Sequence, residues 1–148
     1  MSRIEQEKQF AMRVATASRK WRQMGDQALK RLGLSSASGW CLVYIDRLGD
    51  NPNQVELART VGVREPTIVR MLAGLEKSGL ITRSPDPEDA RAKIIALTPQ
   101  GTDIVKQVEN SLRMLRHDLL ANVSDADLAA ALHVLDEILT ARAEWKDA

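Results

Sequence analysis

The chain has 148 residues, of which 28% are charged, 44% hydrophobic and only 3% aromatic, and its net charge is +1. That length suits one domain with its own core, and the frequent Ala, Leu, Arg, Glu and Lys lean helical. No run approaches the roughly 20 apolar residues that span a bilayer; the opening MSRIEQEKQF has no signal-peptide core, and a single Cys excludes an intrachain disulfide, so a cytoplasmic protein with no membrane partner is expected.

From about Glu5 to Arg31, the residues Phe10, Val14, Ala17, Trp21, Met24 and Ala28 recur at three- and four-residue steps, which predicts one long amphipathic helix. Gly33 ends it. Ser35 or Ser36 caps the next helix, whose expected buried stripe is Trp40, Cys41, Tyr44, Ile45 and Leu48. Gly49, Asp50, Asn51 and Pro52 break it. Asn53, with Glu56 three residues later, is a capping-box start for a short helix expected to bury Val55, Leu57, Ala58 and Val61. Gly62 then supplies a left-handed turn, plugged by Val63. Arg64-Glu65-Pro66 opens another helix, with Pro66 tolerated in its first turn and Ile68, Leu72 and Leu75 facing inward.

Gly79 to Arg83 is a helix stop running into a strand, and Lys93 to Leu97 is its partner. Between them lies a hairpin, Ser84 to Ala92, that holds two prolines and several charges. Thr98-Pro99-Gln100 starts a further helix, striped by Ile104, Val108, Leu112, Leu115 and Leu119. After a break at Asn122 and Val123, Ser124 caps the last helix, which runs on Leu128, Leu132, Leu135, Leu139 and Arg142. Asp125 and Asp127 favour the positive end of its dipole.

Helix, turn, helix and two-stranded hairpin, in that order, make a winged helix-turn-helix. The expected fold class is mainly α with a small β-wing, joined to a helical dimerisation region. Residues 1–34 are expected to form an N-terminal dimerisation helix, 35–100 a DNA-binding lobe and 101–148 C-terminal dimerisation helices, all in one compact domain. The end helices carry more apolar stripe than the centre can cover, which points to a homodimer.

The candidate partner is double-stranded DNA. Thr67, Arg70 and Gly74 share the outer face of the second short helix, beside Arg64, Glu65 and Pro66 at its start. An arginine there can donate two parallel hydrogen bonds to guanine in the major groove. Asp89, two residues before Arg91, is placed to orient that guanidinium for a narrow minor groove. A solvated helix face and a plain surface ion pair, worth little, are the ordinary alternatives. The near-neutral total is no obstacle. Residues 1–50 carry nine Lys and Arg against five acids, and residues 101–148 carry five against nine, so an acidic end masks a basic remainder.

GVREPTIVRMLAGLEKSGLITR followed by DPEDARAKIIALTPQG resembles the MarR family of bacterial regulators, and IVRMLAGLEKSGLI and ARAKIIALT are most similar to its SlyA branch. The resemblance covers nearly the whole chain. The family's D-x-R wing motif matches Asp89 and Arg91. Between them the family often has a second arginine, where this chain has Ala90, so Arg83 and Lys93 are the candidate substitutes for that contact. The resemblance implies a transcriptional repressor or activator on a pseudo-palindromic operator. It also implies release by a small, often aromatic, anion held between the dimerisation helices and the DNA-binding lobe. Arg19, Trp21, Trp40, Tyr44 and Arg70 are the candidates for that effector site, with arginine forking a carboxylate and an aromatic wall facing its ring. The alternative is that both tryptophans anchor the core and Arg19 is solvated.

Cys41 is a redox switch if it follows the family's peroxide-sensing branch, but its place on an apolar stripe favours an inert, buried thiol. His117 and His133 are isolated, so no metal site is expected. No nucleophile with an adjacent base, phosphate-cradling glycine loop or acid pair stands out, and neither a cofactor nor an enzymatic activity is expected. A winged-helix protein-interaction module without specific DNA binding is the competing reading. Arg64, Arg70 and Arg91 at three expected contact places favour DNA, and the near-neutral charge favours the module.

Overall fold

The structure, a computed structural model, describes residues 1–49, 51–89 and 91–141. It has two compact units, which divide between Leu115 and Arg116. In chain order the elements are α1 (Arg3–Arg31), α2 (Ser36–Leu48), α3 (Gln54–Val61), α4 (Glu65–Lys77), β1 (Ile81–Pro85), β2 (Lys93–Leu97), α5 (Pro99–Leu120) and α6 (Asp125–Thr140). A mainly helical chain with a two-stranded wing is what the sequence predicts.

Helix starts follow the local chemistry. Ser2, Ser35 and Ser124 each accept a hydrogen bond from the backbone N–H three residues on, which satisfies a donor that the helix itself cannot. At α3 the capping box is complete. The Asn53 side chain accepts from the Glu56 N–H at 2.9 Å, and the Glu56 carboxylate accepts from the Asn53 N–H at 3.1 Å. Gly62 ends α3 at φ +76°, the left-handed conformation that favours glycine, and this swings the chain directly into α4.

The first unit has two apolar clusters that meet at α2. One joins Cys41, Leu42 and Ile45 to Leu57 of α3, to Ile68, Leu72 and Leu75 of α4, and to Ile81, Ile95 and Val105. The other joins Trp40 and Val43 to Leu29 of α1 and to Val108 and Leu112 of α5. A helix packed from two sides has no solvated face along most of its length. Leu42 and Val43 are therefore buried, although a single-stripe reading omits them, and Leu48, expected on the stripe, lies beyond both clusters and is 39% exposed. Val55 is likewise 49% exposed, not buried, because the core face of α3 is carried by Leu57 and Ala58. In α1 only Gly25 and Leu29 are buried, and Phe10, Val14 and Trp21 stay exposed.

β1 and β2 pair antiparallel, with Ile81 opposite Leu97, Arg83 opposite Ile95 and Pro85 opposite Lys93. The hairpin is pinned at its base. The Thr98 hydroxyl donates to the Gly79 carbonyl at 2.6 Å and accepts from the Gly101 N–H at 3.0 Å. Gly101 is buried tightly against the Leu80 carbonyl, where any Cβ would collide with backbone. On the other strand, Ile95 N–H donates to the Pro52 carbonyl and Asn53 bridges Ile94.

In the second unit, Ser124 caps α6, and none of that helix's residues is buried. Leu132, Leu135, Ile138 and Leu139 are all exposed. Asp50, Ala90 and Arg142, each noted in the sequence, lie outside the described residues.

Candidate nucleic-acid interface

The apolar face of α4 fixes what its other face presents. With Ile68, Leu72 and Leu75 anchored in the core, Arg70 points outward and is exposed, as are Arg64, Glu65 and Pro66 at the helix start. Thr67 is half-buried. Arg64 occupies the N-cap in an extended conformation and makes no side-chain cap bond, which leaves its guanidinium available. Gly74 lies on the same outer side, with open space where a Cβ would be. Among the described residues neither Arg64 nor Arg70 has an ion-pair or side-chain hydrogen-bond partner. The result is a helix edge with two uncommitted guanidinium forks, the donors suited to base edges and phosphates.

The acids of the wing shape its loop. Asp86 accepts from the Glu88 N–H at 2.9 Å, and Asp89 accepts from the Arg91 N–H at 3.0 Å. Both are Asx turns, in which a short carboxylate bonds the backbone two residues ahead. This corrects one expectation: Asp89 grips the backbone of Arg91, not its guanidinium. The short aspartate reaches a fixed N–H more cheaply than it immobilises a long flexible side chain. Arg91 stays exposed, held through its main chain, with its charge unpaired among the described residues.

Arg83 differs from the other arginines. Strand alternation places it on the side of Ile81, facing inward, and its side chain is only 16% exposed. Its Nη2 and Nε donate to the two carboxylate oxygens of Glu76 at 3.0 and 3.3 Å. That double hydrogen bond holds the Glu76 carboxyl below the usual carboxylate range, with the nearby Lys93 charge adding to the effect. Arg83 is thus already committed, where the sequence suggested a free contact. Lys93 is exposed at the first position of β2.

One cleft of about 420 Å³ gathers Glu65, Arg83, Asp89, Arg91 and Lys93, with Val55 and Val69 as its apolar wall. Arg64, Pro66, Thr67 and Arg70 are not in its lining. The nine predicted residues therefore form two adjoining sets, a helix edge and a wing cleft, joined at Glu65.

The five residues offered for an effector are not drawn together to the same degree. Trp40 and Tyr44 have ring centroids 6.4 Å apart. Arg19 is exposed and donates to Thr16 on its own helix, and Trp21 is 38% exposed. Among the described residues no hydrogen bond or ring contact joins Arg19, Trp21 or Arg70 to the Trp40–Tyr44 pair. The cation at Trp40 is Arg22, which lies 4.2 Å above the ring. Asp26 completes the group, accepting from the Trp40 indole and from the Ser36 hydroxyl, each at 2.7 Å. Burial alone raises the carboxyl pKa of Asp26, but these two bonds and the Arg22 charge outweigh it and set the value below the ordinary one. Sequence reading missed Arg22, Asp26 and Glu76. The i, i+4 spacing of Arg22 and Asp26 was a signal for the first two.

Burial pushes the Cys41 thiol up to about 12. Among the described residues no group of three or more His, Cys, Asp or Glu is placed to hold a metal ion, and no helix is long and apolar enough to cross a membrane.

Residues 34–93, which span α2 to the start of β2, match the MarR family. The chain is 40% identical to transcriptional regulator PA3341, whose crystal structure aligns with a TM-score of 0.81 over 88% of this chain and 95% of that one. It is 25% identical to wild-type MarR from E. coli in the apo form, with a TM-score of 0.74 over 87% and 95% of the two chains. An S. aureus MepR mutant bound to an oligodeoxyribonucleotide is also 25% identical, with a TM-score of 0.60 over 88% and 96%.

Proposed function

The chain belongs to the MarR family, and from that premise we propose that it is a homodimeric, DNA-binding transcriptional repressor that reads a pseudo-palindromic operator. The observation that carries this reading is the placement of Arg64 and Arg70, unpaired and exposed on the outer edge of α4, next to a wing whose Arg91 is also unpaired. In this reading α4 enters the major groove, with Arg70 on base edges and Arg64 and Thr67 on phosphates or a thymine methyl. Arg91 enters the flanking minor groove, and Lys93 neutralises a phosphate. The homodimer is supported by the apolar side chains left exposed on α1 and, separately, on α6. The helices within 1–34 and 101–148 are its dimerisation elements.

The effector is a small aromatic carboxylate. The support for this part is the Trp40–Tyr44 pair with the Arg22 guanidinium over Trp40, where a carboxylate would compete with Asp26 for that guanidinium. To act, such a ligand must bind the DNA-free state more tightly than the DNA-bound one.

Selection from a random duplex library, followed by binding titrations at several salt concentrations, tests the central claim. The protein is expected to enrich a two-fold repeat. Arg70→Ala should abolish preference for that repeat and leave a weak, steeply salt-dependent association. Arg91→Ala should weaken binding by about 1–3 kcal/mol. Enrichment of no sequence would leave a winged-helix protein-interaction module as the better account. Salicylate titrated against tryptophan fluorescence and against the repeat complex tests the effector, which fails for this ligand class if neither responds at millimolar concentration.

A further inference from the structure

The Glu76–Arg83 pair joins α4 to the hairpin. Glu76 lies in the last turn of α4, and Arg83 lies two residues into β1, on the strand face turned toward that helix. Among the described residues it is the one side-chain bond between α4 and either strand of the hairpin. The hairpin's other strand is held from elsewhere, through the Pro52 carbonyl and Asn53. At the base of the wing, Gly79 at φ +75° lets the chain reverse between helix and strand. Beyond Arg83, Ser84 and Pro85 are exposed and the chain runs on to the tip that carries Arg91. Two parallel bonds from a fork that is only 16% exposed, to a carboxylate that is 40% exposed, resist bending better than a single contact between two fully solvated side chains.

We propose that Glu76 and Arg83 are positioning residues for DNA binding: their ion pair sets the angle of the wing against α4, and so the distance between the groove-reading edge and Arg91. The inference rests on the DNA-binding reading. Glu76 is an acid close to the phosphate-facing side of the molecule, so simple electrostatics says that neutralising it strengthens DNA binding. As half of a brace, Glu76 does the reverse, because its loss frees Arg83 and lets the wing swing.

The test uses the full chain and the duplex that the unmutated protein selects from a random library, with affinity read by fluorescence anisotropy. Glu76→Gln is expected to weaken binding about five-fold, in spite of removing a negative charge. Arg83→Gln should weaken it similarly, and the double variant no more than either single change. The charge-swapped variant, Glu76→Arg with Arg83→Glu, should recover most of the loss. Hydroxyl-radical footprints should lose protection at the minor-groove flanks and keep it at the centre. Thermal melts alongside separate this from unfolding, since a brace predicts lost affinity in variants that remain folded at the assay temperature. If Glu76→Gln binds as tightly as the unmutated protein or more tightly, the brace is overturned. If only Arg83→Gln weakens binding, and reduces the salt dependence by about one phosphate contact, Arg83 touches DNA directly and the proposal also falls. Failure of the unmutated protein to select any duplex overturns the DNA-binding reading itself, and the brace with it.

Discussion

Four arginines in or beside α4 and the wing have the same chemistry and different employment. Arg64 and Arg70 stand free on a helix edge, Arg91 is held by its backbone alone, and Arg83 is paired. What separates them is the face on which each Cα sits, since neighbouring core residues fix that face before any charge is considered. Cys41 shows the same control of chemistry by position. It is fully buried among Leu42, Ile45 and Leu57, and burial pushes its thiol up to about 12, so almost none of it is thiolate at pH 8. The folded protein is expected to be inert to Ellman's reagent at pH 8, and to release one equivalent of colour once denaturant unfolds it. Rapid reaction without denaturant would show a thiol that exchanges with solvent. The linkage has a definite sign. The folded-state pKa lies above the unfolded one, so the contribution of this thiol is fully present below about pH 9 and is lost as pH rises toward 12.

At the scale of elements, most of the helix and strand boundaries could be read from the sequence, because the signals that set them lie within four residues of the boundary. Ser35, the Asn53–Glu56 box, Gly62, Pro66 and Ser124 each act on backbone groups beside them. The burial of Leu42 and Val43, the exposure of Val55 and the pairing of Arg83 with Glu76 depend on a second element that periodicity does not see. Asp26 with Trp40 and Ser36 is a similar case, two helices joined through one carboxylate. Arg83 was partly legible, since strand alternation from Ile81 turns it inward, but nothing in the sequence names the acid that it meets. The α3 box allows a quantitative check. Asn53→Ala removes the acceptor for the Glu56 N–H and should cost about 0.5–2 kcal/mol of stability, with Asn53→Asp or Asn53→Ser recovering most of it. Because Asn53 also bridges β2, hydrogen exchange at Ile95 should accelerate in the alanine variant beyond what its loss of global stability accounts for. Equal melting midpoints for the unmutated protein and the Asn53→Ala variant would remove the box from the account of how the lobe is held.

The whole molecule has an imbalance between what it buries and what it leaves in water. In the first unit α2 is enclosed by two clusters, yet in α1 Ile4 is 78% exposed and Phe10 41%. In the second unit Leu132, Ile138 and Leu139 are 54%, 52% and 80% exposed on a helix with no buried residue. Single exposed leucines are ordinary, but a row at helical spacing on a capped helix is the kind of surface that a partner covers. The homodimer proposed above would cover it, because a regulator that reads two half-sites gains from a fixed spacing between its reading helices. On that proposal, Leu135→Arg places a charge in the middle of the row and should yield a monomer that keeps its helical ellipticity. Since the two half-sites are then bound independently, operator affinity should fall by about a hundred-fold or more, while contacts to a single half-site persist at low salt. Sedimentation equilibrium at micromolar concentration reads the first effect and anisotropy reads the second. If the unmutated chain sediments as a folded monomer there, the exposed rows need a different partner. If Leu135→Arg remains a dimer with unchanged operator affinity, the interface lies elsewhere on the chain.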